Sequence, residues 1–336
     1  MMCHGIVAEI LANTIQLARL AARCQSCNDS LAAIMAASLQ PYMTIQREEI
    51  TEELDARIAE KITEALASIP KEQTTVYIQS GKTIGTIDGP KHEHFDLLTQ
   101  LVGMRKNTYL WGEAGSGKSS AAEAIANLLG LPFYYLGLQA QMTKAELMGY
   151  KDGTGTFVKT DFYNAYSGGG VFLLDELELA SGNLLGSLNG ALANGRASFP
   201  TGTGPTKRHK DFICIATGNT PAFGATIQFS DRRALDGAVR DRFHFIQWDT
   251  DETLERHLAG QYFLDAAVWV TWVRNIRKSF TKDHPKLTCT QRASIEGAQL
   301  LAAGMAALTV ANMLVFRGYD SNSVSAMLAH YPLPTF

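Results

Sequence analysis

The chain has 336 residues, 46% of them hydrophobic, with 30 basic against 33 acidic side chains and a net charge of −3. That length holds one large domain or two to three smaller ones around a real core. The acidic balance excludes the broad positive surface of a non-specific nucleic-acid binder, while leaving room for a local basic patch.

Residues 5 to 39 are rich in Ala, Leu and Ile with few breakers. Five cysteines in no regular framework, and an N-terminus without the charged, apolar and cleavage regions of a signal peptide, make a reducing cytoplasm the expected setting. Cys24 and Cys27 form a lone C-x-x-C near Cys3 and His4; structural zinc sites use two well-spaced pairs, so no metal is expected there. Ile50, Leu54, Ile58, Ile62 and Leu66 then recur every four residues along one face of an amphipathic helix that Pro70 ends. The texture changes at "TTVYIQSGKTIGTIDG", which reads as a β-hairpin turning at Ser80 and Gly81. We therefore expect a helical region of unassigned role over 1–74, an α/β domain with a leading hairpin over 75–249, and a helical lid over 250–336.

Within the α/β domain the runs "NTYLW", "PFYYLGL", "GVFLLDE", "FICIAT" and "FHFIQW" are short, almost free of charge, and separated by helical patterns. Continuous apolar strands alternating with helices indicate a parallel sheet covered on both faces. Beyond Asp249 the pattern is helical, broken by "KDHPKLT" at Pro285. The apolar run Gly297 to Phe316 is long enough to raise a membrane span, but Gln299, Asn312 and many alanines point to two packed helices instead, and no membrane is expected.

The stretch "LWGEAGSGKSS" places Gly112, four residues, then Gly117, Lys118 and Ser119 after a strand and at the start of the helix "SSAAEAIANLLG". Triphosphate binding needs inward-turned backbone N–H groups, a helix N-terminus, a lysine for the β/γ oxygens and a hydroxyl for Mg²⁺. Gly112, Glu113, Ala114, Gly115, Ser116, Gly117, Lys118, Ser119 and Ser120 supply those parts in order. "GGGVFLLDELELASG" ends an apolar strand in Asp175, suited with Ser119 to the Mg²⁺ shell, and Glu176, a carboxylate suited to polarising a water. "DFICIATGNTP" brings Asn219 to the end of a further strand.

Together with "LDGAVRDRF" and "TCTQRAS", these motifs stand in the order and approximate spacing of an AAA+ ATPase. In that family's terms they resemble Walker A, Walker B, sensor 1, the arginine-finger region and sensor 2. The finer likeness is to the MoxR or dynein-related branch, similar to the ATPase subunit of cobaltochelatase and its phage-borne relatives. It rests on "AELMGYKDGTGTFVKTDFYNAYSGGG", "LNGALANGRASFP", "KRHKDFICIATGNT" and "LDGAVRDRF", and covers roughly Ile87 to Ala303.

The resemblance implies a P-loop NTPase core with a five-stranded parallel sheet and a small helical lid. It implies that ATP and Mg²⁺ are the cofactors, that Asn219 orients the water, and that Arg292 reaches the γ-phosphate from the lid of its own subunit. Relatives often have Pro where this chain has Gln291. Arg242, in "DRF", resembles a finger that completes the site of the next subunit. Arg240, two positions earlier, is the reserve, because residues i and i+2 share no helix face unless the helix has ended between them.

The implied assembly is a homo-oligomeric ring, read as a hexamer, that remodels a partner protein, with a von Willebrand factor A domain protein as one candidate partner. Two segments, "GYKDGTGTFVKTDF" and "NGRASFPTGTGPTKRHKDF", read as excursions that face the channel in relatives. The second carries Lys207, Arg208, His209 and Lys210. A nucleic-acid client, favoured by that cluster alone, and a nucleotide-gated scaffold with little turnover are the alternatives.

Overall fold

A computed structural model describes residues 73–78, 82–283 and 289–336. The helices expected before Pro70, the Cys24 and Cys27 pair and the break at Pro285 lie outside the described residues. What is described belongs to one unit, Lys71–Phe336.

Strands β1 (Gln73–Ile78) and β2 (Lys82–Asp88) pair antiparallel, as the hairpin pattern predicts. Helix α1 (Phe95–Gly103), strand β3 (Thr108–Trp111), helix α2 (Lys118–Leu129) and strand β4 (Phe133–Gly137) follow. Helix α3 (Lys144–Met148) starts on a capping box of Thr143 and Glu146. It leads into a small antiparallel pair, β5 (Tyr150–Lys151) and β6 (Phe157–Val158). Helix α4 (Asp161–Gly168), strand β7 (Gly170–Asp175), a 3₁₀ turn over Leu177–Leu179 and helix α5 (Gly182–Asn194) come next. A second antiparallel pair, β8 (Arg196–Ala197) and β9 (Thr206–Lys207), precedes strand β10 (Phe212–Gly218), the one-turn helix α6 (Gly237–Arg240) and strand β11 (His244–Gln247). Among the described residues five helices follow: α7 (Glu252–Gly260), α8 (Ala266–Asp283), α9 (Gln291–Ala302), α10 (Ala307–Leu314) and α11 (Ser321–His330).

The five strands expected from apolar runs form one sheet in the order β11-β3-β10-β7-β4, every pair parallel. Side chains alternate across it, and both faces are buried along the three central strands, β3, β10 and β7. Val171, Leu173, Ile213 and Ile215 pack with α1 and α2, while Phe172, Leu174, Cys214 and Ala216 pack with α4 and α5. This double cover explains the unbroken apolar runs: neither face of β7 or β10 meets water, so alternation with polar residues is lost. The order puts the crossover point at β3, with β10 on one side and β11 on the other, and ligands of open α/β sheets settle beyond strand C-termini at such a point.

The helical region after β11 has its own core, built from Trp269, Trp272, Val273, Ile276 and Val310. The apolar run from Gly297 divides into α9 and α10. Among the described residues no helix is long and apolar enough to cross a membrane.

Candidate active site

The loop from Gly112 to Gly117 joins β3 to α2 at the C-terminal edge of the sheet. Gly117 caps α2 with φ 86°, ψ 17°, a left-handed turn that glycine adopts without a Cβ penalty and that aims the first N–H groups of α2 outward. Lys118, only 8% exposed, folds over this loop. Its Nζ donates to the carbonyls of Gly112 at 3.0 Å and Glu113 at 2.7 Å, and to Asn219 Oδ1 at 3.3 Å. Burial holds the Lys118 ammonium down at about 8, with Asp175, Glu178, Asp249 and Glu113 pulling the other way.

Registers bring the other expected groups alongside. Leu174 pairs with Ala216 and Trp111 with Gly218, so Asp175, Thr217 and the loop after Trp111 share one edge. Ser119 Oγ lies 3.3 Å from both Asp175 carboxylate oxygens. Asp175 also accepts from the Tyr135 hydroxyl at 3.1 Å and from the Thr217 hydroxyl. Glu176 stands in the left-handed region, φ 58°, ψ 48°, with its N–H on Thr217 Oγ1 at 3.1 Å. A non-glycine residue held there is uncommon and is retained where surrounding structure fixes it.

A carboxylate that the sequence does not single out organises this edge. Glu178 has no exposed surface. It accepts from the Asn219 N–H at 3.0 Å, the Thr220 N–H at 2.9 Å and the Thr220 hydroxyl. Tyr109 donates to the Thr220 carbonyl at 3.1 Å, and burial first, then the Glu178 charge, raises its phenol well above the ordinary range. Gly218 permits this packing, since a Cβ there would lie 1.8 Å from the Tyr109 hydroxyl. In sequence Glu178 looks like one of several solvated acids; only burial distinguishes it.

Ala114 to Ser120, Asp175, Glu176, Asn219 and Arg292 line one cavity of about 530 Å³, within the range of roughly 300–1,000 Å³ for small-ligand clefts. Gly112 and Glu113 sit beneath it through their carbonyls, and the Glu113 side chain turns away to accept from the Thr250 hydroxyl at 2.6 Å. Gln291 starts α9 as a buried residue, and Arg292 beside it is exposed along the cavity wall, with its Cγ 3.5 Å from a Cβ built on Gly115.

The far end of the cavity is apolar, between His92, Phe95, Trp248, Leu254, Leu258 and Ile295. His92 Nδ1 accepts from the His94 N–H at 3.1 Å, so Nε2 carries the proton that it shares with the Asp249 carbonyl at 2.8 Å. Burial lowers its pKa, and the neutral ring stacks on Trp248 at 4.0 Å. Among the described residues the buried Trp248 indole N–H finds no hydrogen-bond partner.

Arg240 and Arg242 stay outside this cavity. Helix α6 ends at Arg240, so the two arginines flank a helix end rather than sharing a helix. The Arg240 guanidinium lies 4.1 Å above the Phe223 ring. Arg242 donates from Nε to Asn189 Oδ1 at 3.1 Å and from Nη1 to Asp241 at 3.1 Å. The basic cluster lies elsewhere, at the foot of β8 and β9, where Lys207, Arg208, His209 and Lys210 line an open hollow with Arg196.

Residues 107–243 match the AAA domain family of the dynein-related subfamily. An uncharacterized protein of Staphylococcus epidermidis is 27% identical over 184 residues, covering 52% of this chain and 64% of that protein. The uncharacterized protein YojN of Bacillus subtilis is 26% identical over 214 residues, covering 61% of this chain and 66% of its own. The chain thus matches just under two thirds of these relatives' length. A crystal structure of NtrX from Brucella abortus in complex with ADP is similar at a TM-score of 0.43 and 16% identity, over 60% of this chain and 46% of that one.

Proposed function

We propose that this chain, with its AAA+ P-loop fold and dynein-related AAA domain, hydrolyses ATP with Mg²⁺ and uses the energy to remodel a partner protein as a ring, read as a hexamer. The observation that carries the reading is one cavity edged by Lys118, Ser119, Asp175, Glu176, Asn219 and Arg292, which come from four separate stretches of sequence.

Lys118 would exchange its loop carbonyls for phosphate oxygens, keeping a rigid cradle of N–H groups around them. The fit of a divalent cation rests on the hard oxygens of Ser119 and Asp175 lying together; Mg²⁺ is commonly held by one or two protein oxygens plus phosphate, and there it would neutralise charge on the transferring group. Glu176 would take the proton of the attacking water, and Asn219, already hydrogen-bonded to Lys118, would orient that water. Arg292 would meet the γ-phosphate from the lid. The stacked His92 and Trp248 wall supports an aromatic base at the other end, with the Trp248 N–H as a donor for its edge. In this reading Arg242 serves the neighbouring subunit, and a von Willebrand factor A domain protein is the candidate partner.

The test is turnover of the purified protein against Glu176→Gln. We expect hydrolysis to fall by roughly 10²–10⁴-fold, the scale of general-base catalysis, while nucleotide still binds. Equal rates would exclude Glu176 as the carboxylate that acts on water.

A further inference from the structure

Behind the cavity lies a buried arginine that none of the expected motifs includes. Arg232 follows β10 on the way to α6, and its side chain is 7% exposed. Nη2 donates to Glu176 Oε1 at 3.2 Å, while Nε stands 3.6 Å from Glu178 Oε2. Nη1 reaches Asp231 at 3.3 Å, and the Phe229 ring lies 5.6 Å from the guanidinium carbon. The next residue, Arg233, donates its N–H to the Glu178 carbonyl at 3.0 Å, so the backbone here is anchored as well.

A guanidinium carries a permanent charge on a rigid planar fork, and burying it is costly unless acids meet it. Here it meets three carboxylates, the exposed Asp231 and, on the side of the cavity, two in very different settings. Glu178 is fully buried and held by Asn219 and Thr220. Glu176 has its side chain 44% exposed and lines the cavity, which Arg232 does not. Among the described residues Arg232 makes the one hydrogen bond to the Glu176 carboxylate. Without it that side chain would be a free rotor on a fixed backbone, and a general base must be held within hydrogen-bond reach of its water.

We propose that Arg232 is a positioning residue for hydrolysis: Glu178 fixes Arg232, and Arg232 fixes one oxygen of Glu176 so that the other is presented to the water. This rests on the ATPase reading above. It also makes the sensor and the base parts of one network, because the carboxylate that supports Asn219 is the anchor for Arg232.

The test is a double-mutant cycle on the full chain, reading steady-state ATP hydrolysis and binding of fluorescent ADP. Arg232→Ala should lower kcat by roughly 10- to 100-fold, the penalty of a misplaced catalytic group. KM and ADP affinity should stay within about twofold, and Arg232→Lys should recover part of the rate. In a Glu176→Gln background, Arg232→Ala should change the residual rate by less than about twofold, since coupled residues lose their effects together. An unchanged kcat in Arg232→Ala overturns the proposal, as does a further large drop in the Glu176→Gln background. Loss of ADP binding in both the Ala and Lys variants would make Arg232 a purely structural residue and overturn it too. A wild-type chain that binds ADP but never hydrolyses ATP would instead sink the ATPase reading, and this proposal with it.

Discussion

Lys118 carries its charge at a cost, because burial lowers its pKa to about 8. At pH 7 the ammonium is protonated with or without nucleotide, so binding moves no proton. Above pH 8 the free protein holds a neutral amine, whereas a bound polyphosphate favours the charged form. Calorimetric titration with ADP in buffers of different ionisation enthalpy should therefore show proton uptake approaching one per nucleotide near pH 9 and none near pH 7. No uptake at the higher pH would mean that Lys118 does not meet the phosphates. Lys118, Ser119 and Asp175 are readable in the sequence because each sits in a contiguous pattern whose spacing reports its chemistry. Glu178, Thr217 and Arg232 are not, since acids after a strand and arginines before a helix are ordinarily solvated. Their importance arises only when burial leaves them no water to bond.

Among the elements, the C-terminal helical region depends on a clamp across three helices. Glu255 of α7 has no exposed surface and accepts from Arg274 Nε at 2.7 Å, Arg277 Nη2 at 2.6 Å and Ser294 Oγ at 2.5 Å. Burial pushes its carboxyl up, but Arg277, Ser294 and Arg274 together hold it below the usual range. The stabilisation is thus fully present above the ordinary carboxylate pKa and is lost as pH falls through the lowered value. Glu255→Ala leaves the buried Arg274 and the partly buried Arg277 without their central acid and should cost about 3–5 kcal/mol in chemical denaturation. A loss below about 1 kcal/mol would show that the clamp does not hold these helices together. Because α9 is part of this clamp, its buried Ser294 face sets which way the exposed Arg292 looks. The existence of these helices is readable from apolar spacing, as are the five strands. Their pairing is not: parallel strands gain their partners through distant crossovers, and β3 lies between strands that come more than 100 residues later in sequence, a separation that no local pattern reports.

At the scale of the whole molecule, Arg242 poses the quaternary question. It lies outside its own cavity and is tied to Asn189 and Asp241, so a finger role requires a neighbour's nucleotide to compete for it. Arg242→Ala should lower turnover by roughly 10³-fold or more, the scale of an arginine finger, with nucleotide binding kept. Mixing Arg242→Ala with Glu176→Gln should restore part of the activity, since an intact Glu176 then faces an intact Arg242 across a subunit boundary. No recovery would end the trans assignment.

The amino-acid order alone determines the P-loop, the acidic strand end, the alternation of strands with helices and the helical region beyond them, because these follow from short-range spacing and from which residues avoid water. Tertiary structure alone decides that β3 and β10 stand side by side and that Asn219 therefore meets Lys118. It also decides that a buried Glu178 and Arg232 stand behind Glu176. Those contacts join residues 41 to 101 positions apart, and their strength comes from exclusion of water, which exists only once the sheet is covered.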